Sequence, residues 1–186
     1  MIQIPSLRRF ISARTETRFR WVSFVVDIRD LLAYNDVAKR AFFKSFRKVS
    51  WDELIKNREA SFNSIRNIFI HSLNATNHWL DFLQGKPERS YKEFDDYKSL
   101  GEVEAYMQHT EKRINDYLKS LPPLGLGKEY HGEGKEKNKR IMAEEVLVHV
   151  FEEEVHHRGE LIALYWQMGI KPPLVDFVDF VFSHRK

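Results

Sequence analysis

The chain contains no cysteine among its 186 residues, which excludes disulfide bonds, a thiol nucleophile and a thiolate zinc site. Any bound metal must therefore be held by nitrogen and oxygen ligands. No apolar run approaches the ~20 residues that a membrane-spanning helix needs. The N-terminus also lacks the uninterrupted apolar stretch and the small-residue cleavage site of a signal peptide. We therefore expect a cytoplasmic protein with no membrane segment.

The alternating pattern of a half-buried strand is missing as well, and no strand is predicted anywhere. Apolar residues instead recur at three- and four-residue steps, the pattern of amphipathic helices. The long predicted helices cover approximately residues 20–47, 61–83, 99–121 and 139–168. Together they predict an all-α fold, a four-helix bundle.

Local signals mark where these helices begin and end. Ser50 and Ser99 each precede a glutamate by three residues, which is the capping-box pattern of a helix start. Gly169 follows the last long helix in the position where a left-handed residue commonly ends one. The Gly- and Lys-rich stretch 124–139 is expected to be a solvated connection, and the apolar segment 174–182 is expected to pack back on the bundle.

Positive charge is concentrated at the N-terminus. Residues 1–20 contain five arginines and one acid, Glu16, a balance of +4 against a net charge of +3 for the chain. We therefore divide the chain into a basic extension, 1–20, and a helical domain, 21–186. Such an arm is more often a solvated or intersubunit segment than a nucleic-acid ligand, so we do not expect nucleic-acid binding.

The first helix carries Asn35 on its apolar stripe. A buried asparagine needs hydrogen-bonding partners. Asn35 therefore either bridges to a neighbouring helix or lies at the edge of the core.

The chemistry-bearing residues are concentrated in the fourth predicted helix. His149, Glu153 and His157 follow one another at steps of four, which places them on one face, one turn apart. An imidazole and a carboxylate in this arrangement can close on one metal ion when another helix supplies a third ligand. The same stripe contains the apolar residues Val146 and Leu161. Glu153 and His157 are therefore expected to be buried.

The third ligand should come from the apolar stripe of a facing helix. His71 fits best because it follows Ile70 on the predicted inward face, and His78 is the reserve choice. A hydrogen-bonded core histidine or a buried ion-pair network would satisfy the same groups without a metal. A carboxylate-bridged di-iron bundle is set aside, because it needs a second Glu-x-x-His motif on another helix.

These residues give the chain a resemblance to the DinB/YfiT-like metal-dependent bundle proteins, over approximately residues 24–180. The most specific part is the block His156-His157-Arg158-Gly159-Glu160 with its downstream glycine and paired prolines. The remaining matching segments are 31–35, 61–65, 70–71, 149–150, 169–173 and Asp176.

The resemblance implies a divalent metal held by three histidines. Carried over by motif, His71 and His157 are ligands, and Glu153 occupies the position of the third. A site with two histidines and one carboxylate can hold zinc, manganese, iron or nickel, and the carboxylate favours harder ions such as Mn²⁺, Fe²⁺ or Mg²⁺. His149 is then an auxiliary ligand or a partner that orients a ligand. Arg158 and Glu160 are expected to be packing or ion-pair residues.

By the same resemblance, we expect an enzyme that hydrolyses a small molecule or transfers a low-molecular-weight thiol. A homodimer is also implied. The alternative function is a non-catalytic helical bundle whose metal site is structural or lost and which acts as an interaction module.

Overall fold

The computed structural model describes residues 26–87, 91–122, 125–132 and 138–184, and the basic extension 1–20 lies outside them. Four long helices form the bundle and confirm the predicted all-α fold. No helix in this part of the chain is both long enough and apolar enough to cross a bilayer. The α-helices are α1 (Ile28–Phe46), α2 (Trp51–Ile55), α3 (Ile65–Leu83), α4 (Leu100–Ser120), α5 (Ala143–Gln167) and α6 (Phe177–His184).

Serine caps determine where several helices begin. The Ser64 hydroxyl accepts a hydrogen bond from the Asn67 amide at 3.2 Å, so α3 starts at Ile65, four residues later than predicted. Asn63, with φ +69°, turns the chain immediately before this cap. Ser99 accepts from the Glu102 amide at 3.3 Å at the start of α4, as the capping pattern predicts.

The prediction that the chain has no strands is wrong at one place. A short antiparallel hairpin pairs β1 (Glu129–His131) with β2 (Arg140–Met142). Consequently α5 begins at Ala143 instead of Lys139, because the residues before it are used for strand pairing. Glu145 accepts a hydrogen bond from the Met142 amide at 2.8 Å and so fixes this junction.

The predicted buried face of α5 is also wrong in phase. Residues four apart on a helix differ by about 40° in direction, so steps of four drift off a fixed face. Val146, His157, Leu161 and Leu164 of the predicted stripe are buried, whereas His149 and Glu153, in its middle, are only half-buried. The residues of α5 that are buried are Ala143, Val146, Leu147, Val150, Glu154, His157, Leu161, Leu164 and Tyr165.

The same correction applies to α3. His71 and Ala75 are half-buried and His78 is exposed, so the predicted inward face is in fact the border of the true one. The interior apolar residues of α3 include Ile68, Phe69, Leu73 and Leu80. His71 therefore lies at the outer edge of the groove between α3 and α5, and His78 lies further out. Neither is in the centre of the core.

Asn35 of α1 bridges to α5, which confirms one of the two interpretations of this residue. Its amide donates to the Phe151 carbonyl at 3.4 Å, and its oxygen accepts from the Arg158 guanidinium at 3.3 Å. The C-terminal segment packs back on α1 through Phe180, whose ring lies 5.7 Å from that of Tyr34.

Two glycines of the α5 region should respond in opposite ways to alanine. Gly169 has φ +69° and ends α5, and the next amide, of Ile170, donates back to the Tyr165 carbonyl at 2.9 Å. We expect Gly169→Ala to lower the free energy of unfolding by about 1 kcal/mol, because the left-handed conformation strains a Cβ. Gly159 lies inside α5 with open space around its Cα, so Gly159→Ala should raise it by about 0.5–1 kcal/mol. Urea denaturation of the metal-free variants measures both, and equal effects would contradict this assignment.

Candidate metal site

Helices α3 and α5 run antiparallel along the candidate site. His71 of α3 lies against His157 of α5, with ring centroids 4.8 Å apart and planes at 80°. Two turns further along, Trp79 of α3 lies against His149 of α5, with centroids 5.0 Å apart. His71 and Trp79 are eight residues apart on α3, and His149 and His157 are eight residues apart on α5. One face of α3 therefore lies along one face of α5 over this whole length.

The structure brings together the three residues that the sequence predicts as ligands. One donor atom from each of His71, Glu153 and His157 lies within 4.8 Å of the other two. Glu153 Oε2 is 3.4 Å from His157 Nε2. Two ligands that each bond zinc at about 2.0–2.2 Å in a tetrahedral site are separated by a similar distance. The donor set therefore fits a small divalent cation.

Glu160 lies behind His157 and supports this fit. The buried Nδ1 of His157 has no hydrogen bond to any residue that the structure describes. Its neighbour is Glu160 Oε2 at 3.6 Å, and that carboxylate is held by the Ser61 hydroxyl, which donates to it at 2.6 Å. A metal-bound histidine commonly directs its second ring N–H at a carboxylate, which fixes the ring orientation. This arrangement leaves Nε2, the nitrogen nearer Glu153, available for a metal.

Phe62 covers the two histidines on the side of the α2–α3 connection. Its ring stacks on His71 at 3.7 Å and 18°, and meets His157 edge-on at 5.6 Å. Phe94 continues this aromatic wall, with its ring 6.1 Å from Phe62. The wall excludes water from one side of the site, while Glu153 marks the more open side.

His71 is held in the form that binds metals. Partial burial lowers the pKa of His71, the nearby His157 lowers it further, and Glu153 and Glu160 oppose the shift. A lowered pKa keeps the imidazole neutral at neutral pH, and the neutral imidazole is the ligand.

We expect Phe62→Ala to weaken divalent-metal affinity by about tenfold, the lower end of the effect of groups that orient ligands. Removing the stacked ring frees His71 to rotate away from His157. Titration of the metal-free protein with Zn²⁺ against a competing chelator measures the change. Phe94→Ala is the matched control, because its ring lies one layer further out. Equal affinities for the Phe62→Ala variant and the wild type would show that the stacking does not orient His71.

The other two histidines considered from the sequence lie outside this group. His149 Nε2 is 3.6 Å from Glu153 Oε1, on the far side of that carboxylate from His157. His78 is exposed, and its ring lies beside Trp79 at 5.3 Å. His78 is therefore not placed to serve as the third ligand, whereas His149 adjoins the group through Glu153.

A buried charged cluster beside the site was not predicted. Glu154 accepts hydrogen bonds at 3.1 Å from both Lys39 of α1 and the Thr76 hydroxyl of α3. Lys39 also pairs with Asp36 at 3.0 Å. Burial disfavours the Lys39 ammonium, but the two carboxylates outweigh that cost and hold the pKa of Lys39 above its ordinary value. A cavity of about 20 Å³, enough for one water, is lined by Lys39, Glu154 and His157 among others.

The cluster could have been predicted from the helical phase of α5, that is, from which of its residues share one face. Val150, Glu154 and His157 follow one another at steps of four and three, which matches the 3.6-residue repeat better than steps of four do. Lys39 precedes Phe42 and Phe43 at the corresponding steps on α1. A buried carboxylate and a buried ammonium on facing helices are then expected to pair.

Comparisons with known proteins agree with the fold. The model of the DinB family matches residues 23–186. The uncharacterised protein YizA of Bacillus subtilis (strain 168) is 23% identical over 145 residues, which cover 78% of this chain and 90% of YizA.

A crystal structure of the DinB-like protein YjoA from Bacillus subtilis is similar in fold, with a TM-score of 0.56 and 16% identity. The similarity covers 78% of this chain and 96% of YjoA. At this level of identity the similarity concerns the fold alone. DinB-like proteins are metal-binding in general, which agrees with the convergence of His71, Glu153 and His157. Because the family model spans nearly the whole helical part of the sequence, the chain belongs to the DinB family.

Proposed function

We propose that this protein is a metal-dependent enzyme that acts on a small molecule by hydrolysis or by thiol transfer. The observation that carries the proposal is the convergence of two imidazoles and one carboxylate from two helices at the opening of a groove. Three protein ligands leave at least one coordination position for water or substrate, which distinguishes a catalytic site from a closed structural one.

A bound divalent ion would supply one element of chemistry, a lowered pKa for a coordinated water or thiol and hence a nucleophile near neutral pH. Glu153 serves as a ligand in this proposal and not as a general base, since both its oxygens face imidazoles. Glu160 and Ser61 orient His157 from behind. Phe62 limits the approach of water from one side, so the substrate enters from the side of Glu153.

Helix α3 offers an aromatic and a small side chain next to the proposed metal ligands. Trp79 forms an aromatic wall two turns from His71, and the antiparallel register places the short side chain of Ala75 between them, opposite Glu153. An aromatic wall beside a polar centre can hold an apolar substituent of a substrate while the polar end meets the metal. The resemblance also implies a homodimer, and that proposal does not depend on the arrangement of these residues.

Absorption spectroscopy of Co²⁺-loaded protein tests the proposal. The ligand-field bands of Co²⁺ should appear on loading and be absent in His71→Ala. Addition of 2-mercaptoethanol should then produce a sulfur-to-cobalt charge-transfer band, because the proposed site keeps an open coordination position that a thiolate can occupy. Failure of the wild-type protein to bind Co²⁺ would contradict the proposal and favour a bundle that acts only as an interaction module.

A further inference from the structure

The carboxylate of Glu153 lies between two imidazoles and presents a different oxygen to each. Oε2 is 3.4 Å from His157 Nε2, and Oε1 is 3.6 Å from His149 Nε2. The neighbouring Glu152 has Oε2 3.8 Å from the other ring nitrogen of His149. Donor atoms of His149, Glu152 and Glu153 lie within 4.8 Å of one another, which makes a second group with the spacing of metal ligands.

We propose that α5 carries a second divalent-metal site, formed by His149, Glu152 and Oε1 of Glu153, so that Glu153 bridges two ions. The proposal rests on the metal site of the proposed function, because bridging requires an ion on Oε2 as well. Carboxylates commonly join two ions about 4 Å apart in two-metal sites. This arrangement differs from a carboxylate-bridged di-iron bundle, since it needs no second Glu-x-x-His motif: α5 supplies every ligand except His71.

The position of His149 is defined by the fold and not only by its helix. Trp79 of α3 meets the His149 ring edge-on, at an interplanar angle of 85°. Trp79 therefore packs an aromatic ring against the candidate ligand His149, as Phe62 does against His71 and His157. Such packing reduces the side-chain entropy that would otherwise be lost when His149 binds an ion.

Exposure and charge indicate how the second site differs from the first. The side chain of Glu152 is 63% exposed and that of His149 is 40% exposed, so solvent can complete the coordination. Glu152 has room to turn from Nδ1 towards the ion. With two carboxylates and one imidazole, the site favours harder ions such as Mn²⁺, which accept oxygen ligands and bound water. We therefore expect ordered filling, with the His71–Glu153–His157 site first and this site second.

The bridging role depends on the carboxylate at position 153. A neutral imidazole has one free lone pair and can bind one ion, whereas a carboxylate offers one oxygen to each of two ions. Glu153→His should therefore keep one tightly bound ion and lose the second. This variant removes the bridge while it keeps a ligand for the first ion.

A third group of donors provides the matched control. His156 Nε2 is 3.4 Å from Glu160 Oε1, an exposed His–Glu pair at the same four-residue spacing as His149 and Glu153. A metal there would need His157 Nδ1, although the first site uses Nε2 of the same ring. We therefore expect no additional ion at His156.

Equilibrium dialysis and electron paramagnetic resonance with Mn²⁺ test the proposal. The wild-type protein should bind two Mn²⁺ ions per chain. The hyperfine multiplet of the isolated ion should broaden as the second ion becomes exchange-coupled through Glu153.

His149→Gln and Glu153→His should bind one ion with the multiplet of an isolated centre. Glu152→Gln should weaken the second ion by about tenfold or more, in line with the loss of a supporting ligand. His156→Gln should match the wild type. The side chains of Glu152 and His156 are largely exposed, whereas those of His149 and Glu153 are 40% and 27% exposed, so circular dichroism melts check that the variants are folded.

Each other outcome overturns a defined statement. One Mn²⁺ per chain in the wild type, with His149→Gln lowering only its affinity, would make His149 a residue that orients Glu153 and would overturn the second site. Loss of the second ion in His156→Gln would place it at Glu160 instead and would also overturn the proposal. No Mn²⁺ binding by the wild type, repeated with Zn²⁺ and Co²⁺, would contradict the proposed function itself.

Discussion

Replacing His157 with alanine should lower the affinity for divalent metal by more than about 100-fold, beyond the loss typical of groups that only orient ligands. His157 is the buried member of the ligand set, and it connects the other two: it faces His71 across the groove and Glu153 one turn away. Without it, His71 and Glu153 remain on separate helices with no ligand between them. Titration of chelator-treated protein with Zn²⁺ measures the change.

His156→Ala is the control for this prediction. His156 is the adjacent residue, and its side chain is 59% exposed against 7% for His157. Both variants replace one histidine with alanine, so a loss of non-specific metal binding by histidine would lower the metal affinity of both equally. Wild-type affinity in His157→Ala, or an equal loss in both variants, would contradict the ligand assignment.

Replacing Lys39 with methionine should lower the free energy of unfolding by about 3–5 kcal/mol, the range for breaking a buried ion pair. Lys39 and Glu154 expose only 7% and 4% of their side chains. Removal of the ammonium leaves the Glu154 carboxylate buried with Thr76 as its remaining described donor. Urea denaturation of the metal-free protein, monitored by circular dichroism, measures the change.

Two controls keep this prediction specific. The double variant Lys39→Met/Glu154→Leu removes both partners of this pair and should recover part of the loss, since a well-packed apolar pair can replace a buried ion pair, while Asp36 keeps the hydrogen bond that Asn115 donates at 3.2 Å. Lys112→Met breaks an exposed pair with Asp116 and should change the free energy of unfolding by less than about 1 kcal/mol. A loss below about 1 kcal/mol for Lys39→Met would contradict a charged, buried pair.

The parts of the fold that local chemistry determines were predicted well. Ser99 caps α4 and Gly169 ends α5, because a side-chain oxygen at a helix start and a left-handed glycine at a helix end act through neighbouring residues only. The hairpin of β1 and β2 was missed for the opposite reason. Its pairs, such as Tyr130 with Ile141, join residues separated by a polar stretch of sequence, and three-residue strands are too short to show alternation.

The structure brings the three predicted ligands together, but the reason for selecting Glu153 was partly wrong. Glu153 was selected as the centre of a buried stripe, yet the buried glutamate is Glu154. The run of three glutamates does not by itself show which one is buried, and the steps of four and three from Val150 to Glu154 and His157, which indicate Glu154, were missed. The partner of Glu154 is Lys39, 115 residues earlier, and the sequence alone does not show that these two residues lie opposite each other on packed helices.

The location of a bound ion tests the central claim most directly. Crystals grown with Mn²⁺ or Zn²⁺ and measured on both sides of the metal absorption edge should give an anomalous difference peak in the groove between α3 and α5. We expect this peak at about 2.0–2.2 Å from Nε2 of His157, Oε2 of Glu153 and a ring nitrogen of His71. Absence of a peak at these three residues in metal-saturated crystals, or a peak only at His156 and Glu160, would contradict it.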